Sequence, residues 1–276
     1  MPLGSHELLR RRSVAEDGVQ RVVGGFMKAL ALALLLVVFS PTPLPGTEAG
    51  RANLRIGVDP GYPPFSDIDE EDRLKGFDID IALALCARMD TVCSFVREDW
   101  ERLIPGLRAG MFDAIVSSMS ITEKRRRLVA FTERYYSNEV RFVARKGAGF
   151  EPAAPRGRTV GAMRATIASD WLEENLSKVA AIRLYADQEA LLRALVEGRV
   201  DAVFADALGF WNWLGSPEGA AFAFAGEGRR LDEGIGIAVR KEDETLRRRL
   251  NRALRTILAD GAYEEINARY FPFSIY

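Results

Sequence analysis

The chain has few of the residues on which enzyme chemistry most often depends. Its 276 residues include a single histidine, His6, and two cysteines. One histidine near the N-terminus excludes zinc sites built from several histidines and catalytic triads that use a histidine base. Walker A, G-x-S-x-G and G-x-G-x-x-G motifs are also missing from the sequence. We therefore expect no metal, no cofactor and no catalytic residue.

The chain also lacks a strong net charge and a long hydrophobic run. A net charge of −1 with 48% hydrophobic residues is typical of a globular protein and indicates no nucleic-acid partner. The apolar run at residues 29–39 is too short to span a bilayer. With Met27 before it and small residues after it, this run predicts a signal peptide cleaved near Ala49. We expect export to the periplasm without a lipid anchor, because no cysteine lies near that site; the true start, Met1 or Met27, stays open.

The predicted export bears on the redox state of the two cysteines, Cys86 and Cys93. An even pair in an oxidising compartment favours a disulfide over two buried thiols. Cys86 ends a helical pattern and Cys93 begins the next strand pattern, so a turn between them can bring the two together.

Strand and helix patterns alternate from residue 53 onward, which predicts an α/β protein with parallel sheets covered by helices. A Gly/Pro-rich stretch at 147–157 and glycines at 226–236 indicate two lobes joined by two crossings. The predicted helices are 78–89, 104–109, 123–130, 167–177, 187–197, 207–214 and 243–260. The predicted division is an N-terminal extension with signal peptide at 1–49, lobe 1 at 50–140, lobe 2 at 141–230 and the return of lobe 1 at 231–276.

Polar side chains follow several of the predicted strands, at the sheet edge where α/β proteins bind ligands. Each of them alone is explained as a cap or turn residue, but together they indicate a site. Arg125 lies just inside a helix that Thr122 caps, where a guanidinium can hold a carboxylate in a bidentate fork. Asp206 follows a strand in the other half of the chain. An arginine paired with an acid across a cleft indicates a zwitterion site for an amino acid.

Five segments of the chain form a recognisable set: LRIGVDPGYPPF, GFDIDIALALCARMDTVC, LIPGLRAGMFDAIVSSMSITEKRR, VDAVFAD and DGAYEEINARYFPF. Together they resemble the family 3 periplasmic solute-binding proteins of ABC importers, in particular the lysine/arginine/ornithine- and histidine-binding proteins. The resemblance covers residues 53–276. It implies a two-lobed periplasmic-binding-protein fold of type II, with a mostly parallel sheet in each lobe and a hinge of two crossings. It also implies the disulfide between Cys86 and Cys93.

The resemblance assigns ligand-binding roles residue by residue. Arg125 would hold the α-carboxylate with backbone N–H groups near Ser120 and at Thr166 and Ile167. Asp206 would hold the α-ammonium group. The complete predicted ligand-binding set is Asp59, Tyr62, Trp100, Ser117, Ser118, Ser120, Arg125, Thr166, Ile167 and Asp206.

The remaining roles concern the ligand's side chain. Tyr62 and Trp100 would stack on either side of it, and Asp59 would face a cation at its far end. Aromatic faces and a carboxylate suit a guanidinium or ammonium group, which favours arginine, lysine or ornithine. Histidine and other polar or opine-type amino acids stay open as alternatives.

The second-lobe loop departs from the family pattern. The family usually has glycine, then serine or threonine, then threonine, whereas this chain has Ala165, Thr166 and Ile167, followed by Ala168. The backbone donors are kept and one hydroxyl is lost, which bears on affinity and on the ligand.

The resemblance implies a monomeric binding protein, not an enzyme, that delivers its amino acid to an ABC transporter permease in the inner membrane. An exported dehydratase of cyclohexadienyl substrates on the same fold is the second class of function. Such an enzyme would need a carboxyl group of raised pKa in the cleft as its general acid.

Overall fold

Two five-stranded sheets form the framework of residues 52–276, the part of the chain that the computed structural model describes. The predicted signal peptide and its cleavage near Ala49 lie outside the described residues. The first sheet contains β1 (Asn53–Val58), β4 (Val92–Arg97), β5 (Ala114–Ile115), β6 (Ala130–Tyr136) and β12 (Ile235–Val239). The second sheet contains β7 (Val140–Arg145), β8 (Thr159–Met163), β9 (Ala181–Tyr185), β10 (Ala202–Asp206) and β11 (Phe222–Arg229).

Helices cover the sheets, and a short ribbon lies beside the first one. The ribbon pairs β2 (Asp67–Ile68) with β3 (Leu74–Lys75). The helices are α1 (Phe77–Arg88), α2 (Trp100–Arg108), α3 (Glu123–Arg126), α4 (Ile167–Asn175), α5 (Gln188–Val196), α6 (Ala207–Leu214), a 3₁₀ turn (Gly219–Ala221), α7 (Glu244–Ala259) and α8 (Ala262–Tyr270). Among the described residues, none of these helices combines the length and the apolar character that crossing a membrane requires.

The order of strands confirms the two-lobed α/β architecture and shows that each sheet is mixed. In the first sheet β4, β1 and β5 are parallel, whereas β12 runs antiparallel to β5 and β6. In the second sheet β10, β8 and β9 are parallel, and β7 is antiparallel to β10 and β11. The chain leaves the first sheet after β6 and returns to it at β12, so antiparallel strands stand next to both crossings. The exact lobe boundaries stay a prediction.

The last long helix returns to the first lobe as predicted. Its buried stripe includes Leu246, Leu250, Leu254 and Ile257, and the helix contacts α1 and β6. Burying an aliphatic side chain of this size contributes about 1.5–3 kcal/mol relative to leaving it exposed. This stripe therefore fixes the end of the chain to the lobe in which the chain began.

Two predicted helices differ from the structure by four residues at one end. The helix predicted at 123–130 ends at Arg126, because Val129 and Phe131 turn into the core of the first lobe and the chain continues as β6. The helix predicted at 104–109 already begins at Trp100, so Pro105 lies within it and not in its first turn. The predicted disulfide is present, with the Cα atoms of Cys86 and Cys93 5.9 Å apart.

Candidate functional site

A cleft of about 560 Å³ is lined by loops of both lobes. This volume counts all the space between the lining atoms, including the part that is open to solvent. All ten residues of the predicted ligand-binding set line it. The prediction missed four further lining residues, which are apolar and carry no polar signal: Met163, Ala168, Phe204 and Ala205.

Arg125 lies buried in the wall of the cleft. The Thr122 side chain caps its helix by accepting a hydrogen bond from the Arg125 backbone N–H at 3.2 Å. The guanidinium donates from Nη1 to the Ser120 carbonyl at 3.1 Å and from Nη2 to the Ala165 carbonyl at 3.4 Å. Burial lowers the pKa of Arg125 to about 10, so the group stays charged at neutral pH. Within residues 52–276 no carboxylate forms an ion pair with it, and a buried cation is strongly stabilised by an anion.

The N-terminus of α4 faces the same cleft. Thr166 caps this helix: its Oγ1 accepts from the Ser169 N–H at 3.2 Å, and its own N–H donates to Ser169 Oγ at 3.1 Å. The Thr166 amide is therefore engaged within the cap. The structure gives no acceptor in the described part of the chain to the N–H groups of Ile167 and Ala168, which lie at the positive end of the helix dipole.

Asp206 lies at the end of β10 and begins α6, where it caps nothing with its side chain. The Tyr62 hydroxyl donates to Asp206 Oδ2 at 3.1 Å across the cleft. Burial, together with the nearby charge of Asp232, raises the pKa of Asp206 to about 6, although Tyr62 and Arg125 act in the opposite direction. The sequence reasoning missed Asp232, which lies in the second crossing between the lobes.

Two of the three predicted serines use their hydroxyls inside the protein. Ser118 Oγ donates to Asp78 Oδ2 at 2.9 Å, and Ser117 Oγ accepts from the Asp59 backbone N–H at 3.0 Å. Asp78, a residue that the sequence did not single out, also accepts from the Tyr135 hydroxyl at 2.8 Å. Burial raises the pKa of Asp78 to about 7. Ser117 and Ser118 therefore shape the loop as well as lining the cleft.

Acidic residues surround Asp59 in the lining of the cleft. Burial raises the pKa of Asp59, and the carboxylates of Asp99 and Asp187 raise it further. Its Oδ1 accepts from the Gly61 N–H at 3.0 Å. Acids of both lobes thus act on the same carboxyl group, since Asp187 belongs to the second lobe. A cation placed here is favoured by all three charges.

Tyr62 and Trp100 both line the cleft, and each packs against a different side chain. The Tyr62 ring stacks on Phe65, with the centroids 5.6 Å apart. The Trp100 ring centroid lies 5.0 Å from the Arg125 guanidinium carbon. In the described residues these two rings do not contact each other, so a ligand held between them stays a prediction.

Several contacts join the lobes around the cleft, so the structure shows a closed arrangement. They are Trp100 Nε1 to the Ala165 carbonyl at 2.9 Å, Gln188 Nε2 to the Pro63 carbonyl at 3.4 Å, Lys124 to Asp170 at 2.7 Å and Glu101 to Arg164 at 3.5 Å. No group of three or more metal-binding side chains occurs between residues 52 and 276. The chemistry of the cleft is that of a cation, an anion and helix N–H groups converging on one small volume.

Several known proteins that are similar to this chain are bacterial binding proteins. An L-arginine-binding protein of Pseudomonas aeruginosa is 40% identical over 261 residues, covering 91% of this chain and 99% of that protein. A histidine-binding periplasmic protein of Salmonella typhimurium is 38% identical over 258 residues, again covering 91% and 99%. A solved structure of another Salmonella typhimurium periplasmic binding protein, described as having high arginine specificity, is similar with a TM-score of 0.74 and 30% identity, covering 80% of this chain and 99% of its own.

The family assignment does not depend on any one of these relatives. The match to the family as a whole extends over residues 54–273. These residues make up nearly all of the part of the chain that the structure describes. The resemblance seen in the sequence motifs is thereby confirmed. The chain belongs to the bacterial extracellular solute-binding proteins, family 3.

Proposed function

We propose that the protein binds a free L-amino acid with a positively charged side chain, namely arginine, lysine or ornithine, in the periplasm and delivers it to an ABC importer. The observation that carries this proposal is the arrangement of charges in the cleft. Arg125 is buried without an anionic partner among the described residues, Asp206 stands opposite it, and acids surround the far end. These charges match a carboxylate, an ammonium group and a distal cation.

The ligand carboxylate is assigned to Arg125 and the start of α4. A guanidinium and helix N–H groups together form a strong carboxylate site, because both donate charge-assisted hydrogen bonds. The Thr166 cap does not use the N–H groups of Ile167 and Ala168, so these two groups can donate to the ligand carboxylate. Thr166 itself contributes by orienting the helix.

The ligand ammonium group is assigned to Asp206, with Ser118 and Ser120 beside it. Asp206 has no ion-pair partner within the described part of the chain, and an ammonium ion next to it stabilises the ionised carboxylate. The hydroxyl of Ser118 already donates to Asp78, so it can serve the ammonium group only as an acceptor.

The ligand side chain is assigned to Tyr62, Trp100 and Asp59. Aromatic faces beside a cation contribute about 0.5–2 kcal/mol. The three carboxylates at this end, Asp59, Asp99 and Asp187, favour a charged side chain over a neutral one of the same length. Arginine, lysine and ornithine are therefore expected to bind more tightly than glutamine.

The test is native mass spectrometry of protein purified from periplasm, followed by titration with single amino acids. A co-purified basic amino acid is the expected result. The same preparation tests export, because N-terminal sequencing should give a mature chain that starts near Gly50. A single species at the mass of one chain plus ligand is expected, as the monomer prediction requires. Retention of Met27 in a membrane fraction would contradict the export prediction.

A dehydratase is the second candidate function, and one observation favours it. A general acid needs a raised pKa, and the pKa of Asp206 is raised to about 6. Burial and the nearby charge of Asp232 account for this shift. The same shift is therefore expected in the free protein if the role of Asp206 is to bind the ammonium group of a ligand. Turnover of arogenate or prephenate by the purified protein would establish the enzyme. We propose binding without turnover.

A further inference from the structure

The lobes are joined at the mouth of the cleft by a hydrogen bond from an indole to a backbone carbonyl. Trp100, at the start of α2 in the first lobe, donates from Nε1 to the Ala165 carbonyl of the second lobe at 2.9 Å. Arg125 Nη2 donates a longer bond of 3.4 Å to the same oxygen. One carbonyl of the second lobe therefore receives donors from two elements of the first lobe.

The conformation of Ala165 is what places this carbonyl. Its φ angle is +58°, in the left-handed region that residues with a β-carbon rarely adopt. The left-handed conformation costs about 1–2 kcal/mol for a residue other than glycine. The bonds from Trp100 and Arg125 are the contacts at this carbonyl that offset the cost. The conformation of the loop at Ala165 thus places its carbonyl where the Trp100 indole can donate to it across the cleft.

Three other contacts between the lobes are weaker or compete with the ligand. The ion pairs of Glu101 with Arg164 and of Lys124 with Asp170 lie on the surface, where such pairs contribute about 0–1 kcal/mol. The bond from Tyr62 to Asp206 uses a carboxylate that the proposed ligand ammonium needs. The bond from Trp100 to Ala165 uses no group that the proposed site offers to a ligand.

The Trp100 ring also covers the charged end of Arg125. Its centroid is 5.0 Å from the guanidinium carbon, which is the distance of a cation–π contact. Trp100 therefore touches the residue assigned to the ligand carboxylate, the part of the ligand that all amino acids share.

We propose that Trp100 is a positioning residue that holds the cleft closed through the Ala165 carbonyl and keeps the Arg125 guanidinium in place. This inference rests on the proposed amino-acid binding. The indole bond acts on the common part of every ligand, so it stabilises complexes with all amino acids to the same extent. It acts mainly on dissociation, since the bond exists in the closed complex and must break before the ligand leaves.

The test is Trp100→Phe, which keeps an aromatic ring and removes the N–H donor. Affinity and dissociation rate are measured for L-arginine and L-glutamine by calorimetry and stopped flow. Loss of one hydrogen bond should weaken both ligands by about twofold to tenfold, with an unchanged ratio between them and a correspondingly faster dissociation. Trp211→Phe, the same replacement at an exposed position of α6, is the control and should bind like the wild type.

Two results would overturn the inference. A loss confined to arginine would show that Trp100 acts only by stacking on the ligand's side chain, and unchanged affinity for both ligands would show that the indole bond does not hold the cleft. Trp100→Tyr, which also lacks the indole N–H, repeats the test if the first variant folds poorly. If the wild type binds neither amino acid, it is the proposed function that fails.

Discussion

Ligand affinity is expected to fall below about pH 6, because Asp206 must be ionised to hold the ligand's ammonium group. Burial and the nearby charge of Asp232 raise the pKa of this carboxyl to about 6 in the free protein. A bound ammonium group favours the ionised form, so the pKa of Asp206 is lower in the complex. Below this pKa the Asp206 carboxyl group of the free protein is protonated, and the ligand's ammonium group must displace that proton.

The size of the effect follows from the difference between the two states. Well above the pKa of about 6 the carboxyl is ionised with and without ligand, and affinity does not depend on pH. Below it, affinity falls about tenfold for each pH unit until the pKa of the complex is reached. At pH 5 the expected loss is about tenfold, or about 1.4 kcal/mol.

The assay is calorimetric titration with L-glutamine at pH 5, 6, 7 and 8. Glutamine isolates Asp206, because its uncharged side chain makes no ion pair with Asp59. Asp206→Asn should bind weakly at every pH with a flat profile, whereas Asp59→Asn should keep the wild-type profile for this ligand. A flat profile in the wild type, or a slope that survives in Asp206→Asn, would refute the reasoning. Burial also raises the pKa of Asp59, so the affinity for L-arginine should fall further than that for L-glutamine once the pH is low enough to protonate this carboxyl group.

Three further predictions concern binding and stability. Arg125→Ala should weaken binding by about 2–5 kcal/mol, as removal of one buried partner of a charge pair does; calorimetry showing affinity near the wild type would remove Arg125 from the site. Replacing both Cys86 and Cys93 by serine should lower the free energy of unfolding by about 2–3 kcal/mol in denaturant titrations, because the disulfide closes a short loop. The stability of the free protein should fall as the pH rises toward and through 7, because the pKa of Asp78 is raised to about 7 and its ionised form is disfavoured in the folded state. The raised pKa of Asp206, about 6, acts in the same direction at lower pH, so the interval between pH 6 and 7 is the test of Asp78. Asp78→Asn should abolish the fall in that interval, and a fall that persists there would assign it to another group.

Much of the site could be predicted from the sequence because polar residues follow strands. Asp59, Ser117 and Asp206 each lie at the end of a strand or within two residues of it, and the parallel strands β1 and β5 bring their carboxyl ends to one edge of the first sheet. Arg125 was found because Thr122 gives a helix start just before it, and that cap is present in the structure. Strand ends and helix caps depend on residues that are close together in the chain, and so the sequence was enough to predict them.

Features that depend on packing could not be predicted. Alternation of strands and helices does not reveal that β6 and β12 run antiparallel, since strand direction depends on how the chain returns from the second lobe. Nor does a serine show which way its hydroxyl points: Ser118 turns toward Asp78, forty positions earlier in the chain. The bond of Trp100 to Ala165 joins residues 65 positions apart and depends on one backbone angle.

The central claim, a cleft built for an amino acid with a distal cation, is tested most directly by parallel titration of the purified, ligand-free protein with L-arginine and L-glutamine. The two ligands share the backbone groups that Arg125 and Asp206 are proposed to hold, and they have a similar reach. The acidic end formed by Asp59, Asp99 and Asp187 predicts that arginine binds at least about tenfold more tightly, and that Asp59→Asn removes most of this preference. Equal affinity for arginine and glutamine in the wild type would contradict the claim.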